Sequence, residues 1–154
     1  MIELIKKLTA HEVSHADLSA AKTLSLPIDL RIKSRQRVTL EDGAEAGLFL
    51  ERGTLLRGGD IITDGQGILV RVVAADETVS TVRCADPLLL AKIAYHLGNR
   101  HVSVQIGSGW IRYLQDHVLD GMLRELGLEP EEERAPFEPE TGAYNSHAHS
   151  HAPT

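Results

Sequence analysis

The sequence predicts an α+β protein with two domains and a polar C-terminal tail. Up to about residue 73, short alternating or β-branched runs are separated by glycine and aspartate turns. From Asp76 onward, strand-like runs flank two segments with a helical apolar period. After Phe137 the chain is rich in Pro, Glu, Gly, Ser, Ala and His without an apolar period. We therefore expect a β domain at 1–75, a second domain at 76–138, and a disordered, histidine-containing tail at 139–154.

The N-terminal half is predicted to be all-β. Its candidate strands are "IDLRIKS", "RQRVTLEDG", "AGLFLERG" and "GILVRVVAA". Turn signals at Asp42-Gly43, Gly58-Gly59-Asp60 and Asp64-Gly65 separate segments at the spacing of a small barrel or sandwich.

The second half begins with a strand, "TVSTVRCA", followed by a helix. Asp86 is a good N-cap and Pro87 a good first-turn residue. The apolar positions that follow predict a helix ending near Leu97, with Gly98 at the C′ position.

Two further strands, a second helix and a last strand complete this half. The strands are "HVSVQIG" and "WIRYL", and the helix begins near Asp116 and stops at Gly127. "LEPEEERAPF" supplies the last strand. The resulting βαββαβ order is that of a ferredoxin-like sandwich.

Composition excludes several classes of function. The net charge of −6 and the absence of a basic patch argue against nucleic acid as a partner. No apolar run is long enough to cross a membrane, and the charged N-terminus does not resemble a signal peptide, so we expect a cytoplasmic protein. Because Cys84 is the single cysteine, metal chemistry would depend on histidine and carboxylate ligands.

His101 is the first candidate metal ligand, because it lies where a predicted helix gives way to a strand. One imidazole cannot satisfy a metal ion, but a two-fold axis passing close to it would bring a second copy of the same ring. The alternative is a partly satisfied surface or core histidine.

His96 and His117 are secondary candidates. His96 flanks the apolar stripe of the first helix, which favours a packing role. His117 falls in the first turn of the second helix, where the positive end of the helix dipole favours the neutral imidazole that can coordinate a metal.

The tail sequence "HAHSH" contains His147, His149 and His151 at alternating positions. Three imidazoles on a flexible chain can wrap one ion and release it readily, because ordering the tail opposes binding. An expression tag is the alternative explanation. His11 and His15, four residues apart, are interpreted as surface residues, and no group of residues suggests a catalytic centre.

Several of these segments resemble the UreE family of urease accessory metallochaperones. The resemblance rests on "YHLGNRHV" at 95–102, "RYLQDHVLDGMLRELGL" at 112–128, "PFEPETGAY" at 136–144 and the histidine-bearing tail. Weaker similarity lies in "LRGGDIITDGQGILVRVVAA". It covers nearly all of the chain.

The resemblance implies an N-terminal β domain that engages protein or peptide partners and a ferredoxin-like domain that forms a homodimer. It also implies that His101 is the metal ligand contributed by both subunits and that His117 matches an accessory position. Some members carry a further histidine where this chain has Gln115, so a full secondary site is not expected. The tail histidines match residues that supplement the interfacial pair.

The sequence thus predicts a non-enzymatic chaperone that carries Ni²⁺ to urease apoprotein together with an accessory GTPase, with Zn²⁺ and Cu²⁺ as competing ions. Two alternatives remain open. A metal-dependent enzyme would need an ion with an open position beside a substrate cleft, and would show turnover when loaded with nickel. A scaffold or peptide-binding module would keep its function after His101→Ala and tail deletion.

Overall fold

A computed structural model of the chain describes residues 1–142 and divides it into two compact units, Met1–Ala75 and Asp76–Thr154. The chain is mixed α+β, with many strands and few helices. Within the described residues, no helix is long and apolar enough to cross a membrane. The predicted tail histidines lie outside the described residues.

The N-terminal unit contains two small β-sheets around a shared apolar core. The strands are β1 (Ile2–Leu4), β2 (Lys6–Lys7), β3 (Lys22–Leu26), β4 (Arg35–Thr39), β5 (Glu45–Phe49), β6 (Ile61–Thr63) and β7 (Leu69–Ala74). The first sheet has the strand order β1-β5-β4 and the second β2-β6-β7-β3. β1 pairs with β5, and β3 with β7, in parallel, while the other pairs are antiparallel.

Two short helices interrupt this unit, so the all-β prediction is wrong here. They are α1 (Ala10–Ser14) and α2 (Ile28–Arg31). The predicted strand "IDLRIKS" is instead the helix α2, in which Ile28 and Arg31 are both buried. The buried Arg31 guanidinium donates to the carbonyls of Leu26 (3.0 Å) and Leu56 (3.2 Å), which stabilises the helical turn.

The second unit follows the predicted order of elements. They are β8 (Asp76–Arg83), α3 (Pro87–Asn99), β9 (Gln105–Gly107), β10 (Trp110–Leu114), α4 (His117–Glu125) and β11 (Glu131–Pro136). The strands form one antiparallel sheet in the order β11-β8-β10-β9. The predicted N-cap Asp86, the predicted start of the second helix near Asp116 and the predicted stop at Gly127, with φ of 87°, are confirmed, and Asp116 is the N-cap of α4.

Both helices pack against one face of this sheet. Ile93 and Leu97 of α3 and Leu119 and Leu123 of α4 share a core with strand residues of β8 and β10. Because side chains alternate along a strand, Thr81 of β8, Arg112 of β10 and Gln105 of β9, which are neighbours in register, lie on the opposite face. The sheet therefore has one face covered by helices and a second face available to the C-terminal chain.

Candidate metal centre

His101 occupies an unusual backbone position at the end of α3. The helix continues past the predicted stop at Gly98 to Asn99, and the expected strand at 101 begins only at Gln105. The amide of His101 donates to the carbonyl of Gly98 (3.0 Å), and that of Val102 donates to the carbonyl of Leu97 (3.0 Å). These two bonds form a Schellman motif in which His101, rather than Gly98, is the C′ residue.

The C′ residue of this motif has a positive φ and is usually glycine. His101 has φ of 61°, and no other non-glycine residue among those described has a positive φ. A left-handed L-residue costs roughly 1–2 kcal/mol, so a histidine here is not the choice that stability alone would make. Its side chain is exposed. Such an outlier points to a functional side chain held outward by a rigid helix end.

His96 lies one helical turn before the end of α3 and is exposed, so the packing role predicted for it is not observed. Its ring stacks on that of Tyr95, with centroids 5.7 Å apart and an interplanar angle of 11°. Both rings lie on the surface of the unit.

His117 is the first residue of α4, as predicted, and is linked through Gln115 to a buried carboxylate. The Gln115 Nε2 atom lies 3.4 Å from His117 Nδ1 and 3.2 Å from an Asp120 oxygen. Tyr113, which is fully buried, donates its hydroxyl hydrogen bond to the other Asp120 oxygen. The sequence analysis missed this network, although the appearance of Tyr113, Gln115 and Asp120 around a helix N-terminus was a visible signal.

Asp120 is buried but remains ionised. Burial alone would raise its pKa, but hydrogen bonds from Tyr113 and Gln115 outweigh that effect and lower the pKa below its ordinary value of 3.8. Burial and the neighbouring carboxylate together raise the pKa of Tyr113. The pair therefore holds one fixed negative charge beneath the Gln115 side chain.

We expect Tyr113→Phe to lower the free energy of unfolding by about 1–3 kcal/mol, because the buried carboxylate loses a donor. Since the folded-state pKa of Asp120 lies below its unfolded value, its contribution is complete above about pH 3.8 and is lost as the pH falls through the folded pKa. Without the tyrosine donor, the folded-state pKa of Asp120 should rise toward 3.8, so the loss of stability on acidification should be smaller and should be complete at a higher pH.

Urea unfolding between pH 3 and pH 7, followed by the fluorescence of the single tryptophan, Trp110 in β10, measures both effects. Tyr95→Phe, which removes an exposed hydroxyl, is the matched control. Equal stability of the two variants at neutral pH would show that the buried bond contributes nothing.

After β11 the chain crosses the sheet face opposite the helices. Arg112 donates to the carbonyl of Pro136 (3.3 Å), and the amide of Glu138 donates to the Gln105 side chain (2.9 Å). The amide of Glu140 then donates to the carbonyl of Val104 (2.7 Å). This crossing segment, residues 136–140, therefore extends the contacts of the second unit two residues beyond the boundary expected at 138.

The crossing segment brings the C-terminal end of the described chain to the loop that follows His101. Val104 is only three residues after His101. A shallow depression of about 280 Å³ lies between this loop and the turn before His117. It is lined by Val102, Ser103, Leu114, Gln115, Asp116 and Leu119.

Within residues 1–142, no three histidine, cysteine or carboxylate side chains are close enough to hold a metal ion together. His101 and His117 are each exposed, and His147, His149 and His151 lie outside this range. A complete site would therefore require ligands from the remaining residues or from another copy of the chain.

Comparison with known proteins gives matches over both units. Residues 1–75 match the family described as UreE urease accessory protein, N-terminal domain, and residues 77–154 match the corresponding C-terminal domain. The urease accessory protein UreE of Alcanivorax borkumensis is 58% identical over 150 residues, which cover 94% of this chain and 85% of the relative.

Other relatives have similar identity. The protein of the same name from Pseudomonas putida strain GB-1 is 64% identical over 135 residues, covering 87% of this chain and 82% of the relative. That from Enterobacter sp. strain 638 is 55% identical over 152 residues, covering 97% and 95%. The chain thus belongs to the UreE family of urease accessory proteins.

Proposed function

We propose that this accessory protein of urease maturation is a nickel chaperone, and that two copies of the chain hold one Ni²⁺ between their His101 side chains. The observation that carries this proposal is the exposed His101 imidazole held at φ of 61° by the Schellman motif. In an isologous pair each residue can meet its own symmetry mate, so a single histidine per chain supplies two nitrogen ligands.

The tail histidines would complete this site. Because Glu140 is bonded to Val104, the tail starts beside the loop that follows His101. His147 follows Glu140 by seven residues, a length that spans at most about 25 Å when extended. His147, His149 and His151 are therefore within covalent reach of His101, and each can add an imidazole to an ion held there.

His117 would serve as an accessory ligand. Its Nδ1 atom faces the amide of Gln115, which leaves Nε2 available for an ion. The side chain at 115 is an amide and not an imidazole, so this position offers one nitrogen ligand per chain. Ions bound there would exchange easily.

The division of labour between the units follows the family. The second unit would be a ferredoxin-like domain for metal binding and dimerisation, which its element order and antiparallel sheet support. The β-rich N-terminal unit would engage protein partners. We propose urease apoprotein and an accessory GTPase as those partners, and the cytoplasm as the compartment.

Nickel transfer would proceed by ligand exchange. Neutral imidazoles form a labile site, and incoming ligands of the partner replace them one at a time. Imidazole also suits Cu²⁺ and Zn²⁺, and Cu²⁺ binds more tightly than Ni²⁺ to most such sites. Selection of nickel would then depend on the supply of metal in the cell and on the partner proteins.

Transfer can be measured with the full chain loaded with Ni²⁺ and mixed with urease apoprotein in the presence of a chelator that removes free nickel. We expect urease activity to appear with the loaded chain and not with the same amount of NiCl₂. The loaded His101→Ala chain should activate much less. If free nickel under the chelator activated urease as well as the loaded chain, the chaperone proposal would be wrong.

A further inference from the structure

The short helix α1 in the N-terminal unit carries a second pair of imidazoles. His11 lies within the helix and His15 is its C-cap residue, and both side chains are exposed. Their ring centroids are 4.6 Å apart, with an interplanar angle of 67°. The sequence analysis interpreted both as surface residues, although His11-Glu12-Val13-Ser14-His15 has the His-Glu-x-x-His spacing. On a helix this spacing places two imidazoles on one face, where they can bind a metal ion.

The separation of the two rings fits one shared ion. An imidazole nitrogen lies about 2.1 Å from a bound divalent metal, which places the ring centroid about 3.3 Å from the ion. For bond angles between a right angle and the tetrahedral value, the two ring centroids lie about 4.7–5.4 Å apart. The observed 4.6 Å is close to the short end of this range, so the two rings are close enough to share one ion.

The five-residue helix that carries the pair is stabilised by several side-chain hydrogen bonds. Thr9 and Glu12 form a capping box, with bonds of 2.9 and 3.1 Å. Lys6 binds the other Glu12 oxygen at 2.7 Å, and the Ser14 hydroxyl donates to the His11 carbonyl at 2.6 Å. Because these bonds order the backbone before a ligand arrives, less conformational entropy is lost on binding.

The surroundings of the pair indicate binding and not hydrolysis. In a helical zinc protease, the glutamate of the motif acts as a general base. Here both Glu12 oxygens are already engaged, one by the Lys6 ammonium group and the other by the Thr9 amide, so this carboxylate is not free to act as the base. Among residues 1–142 no third metal-binding side chain joins the pair. Water would occupy the remaining positions of an ion, which would leave it free to exchange.

We propose that His11 and His15 form a two-imidazole site for an exchangeable first-row divalent cation on the N-terminal unit, separate from His101 and the tail. Cu²⁺ should bind it most tightly, with Ni²⁺ and Zn²⁺ weaker, following the general order for nitrogen ligands. The proposal does not depend on the nickel chaperone role, because its ligands lie in the other unit of the chain.

The test uses the full chain carrying His101→Ala, His117→Ala and asparagine at 147, 149 and 151, so that His11, His15 and His96 remain. Cu²⁺ and then Ni²⁺ are titrated by calorimetry, and the imidazole resonances are followed by NMR. We expect one Cu²⁺ per chain, with early paramagnetic broadening of the His11 and His15 signals and little effect on His96. Adding His11→Ala or His15→Ala should abolish this binding.

A composition-matched control moves one imidazole by a single position. The pair of changes His15→Ala and Ala16→His keeps the charge and the number of histidines but separates them by five residues and moves the second imidazole past the C-cap of α1. This variant should lose the bound Cu²⁺. Retention of the ion in this control, retention after loss of either histidine, or absence of binding to the starting chain would each overturn the proposal.

Discussion

Replacing His101 with glycine is expected to stabilise the protein and at the same time to abolish the nickel binding proposed for this residue. Histidine at φ of 61° has a cost that glycine avoids, and the gain is partly offset by the larger entropy of glycine in the unfolded chain. We expect the free energy of unfolding to rise by about 0.5–1 kcal/mol.

The effect on nickel should be much larger. If two copies of the chain share one ion, a single substitution removes two ligands. We expect the affinity to fall by more than the roughly 10–100-fold that follows the loss of an outer-shell partner. Calorimetric titration of Ni²⁺ and urea unfolding monitored by Trp110 measure the two effects on the same sample. Nickel affinity equal to that of the unaltered chain would remove His101 from the site.

Gly98→Ala is the matched control for the stability effect. The change it causes in the free energy of unfolding should have opposite signs depending on whether His101 or Gly98 is the C′ residue. With His101 at C′, Gly98 is an interior helical residue, and alanine should stabilise by about 0.5–1 kcal/mol. If Gly98 were the left-handed C′ residue, alanine would be strained and destabilising. This variant should leave nickel binding unchanged.

The position of this helix end shows where sequence-based prediction fails. Gly98 is the better C′ residue by local preference, but the next residue would then be Asn99, which cannot make the apolar contact of a Schellman motif. With His101 at C′, the next residue is Val102, which packs on the core that contains Leu97. Tertiary packing decides the end of the helix, and a single segment of sequence does not reveal it.

The other helix ends in the second unit were predicted correctly from local capping residues. Asp86, Pro87, Asp116 and Gly127 act through their own side chains or backbone, so their roles can be read without a tertiary structure. The helix α2 is the opposite case. Its buried Arg31 donates a hydrogen bond to the carbonyl of Leu56, which is 25 residues away. The alternating apolar and polar residues around Arg31 favour a strand instead.

The candidate site was predictable only in part for the same reason. His101 and His117 were identified from their places beside helix ends, and the family resemblance singled them out. The links from His117 through Gln115 to Asp120, and from Glu140 to Val104, depend on side chains and strands brought together by folding. The Thr9–Glu12 capping box was a local signal and could have been recognised.

Two nested deletions should separate the metal-binding role proposed for the tail from the structural role of the crossing segment. Deleting 143–154 leaves in place both partners of the bonds from Glu138 to Gln105 and from Glu140 to Val104. We expect the free energy of unfolding to stay unchanged and fewer nickel ions to bind per chain, with the ion that depends on His101 retained. Replacing His147, His149 and His151 with asparagine in the full chain should have the same effect on nickel.

Deleting 137–154 removes in addition the fully buried Phe137, the buried Pro139 and the bonds to Gln105 and Val104. Truncation of a buried phenylalanine alone costs about 3–5 kcal/mol, so we expect at least this loss in urea unfolding monitored by Trp110. Equal stability of the two deletions would mean that the crossing segment is not anchored. An undiminished number of nickel ions after the shorter deletion would mean that the tail histidines do not bind metal. The two deletions differ only in residues 137–142, so a difference in stability between them is due to the crossing segment. A loss of nickel that both deletions share is due to His147, His149 and His151.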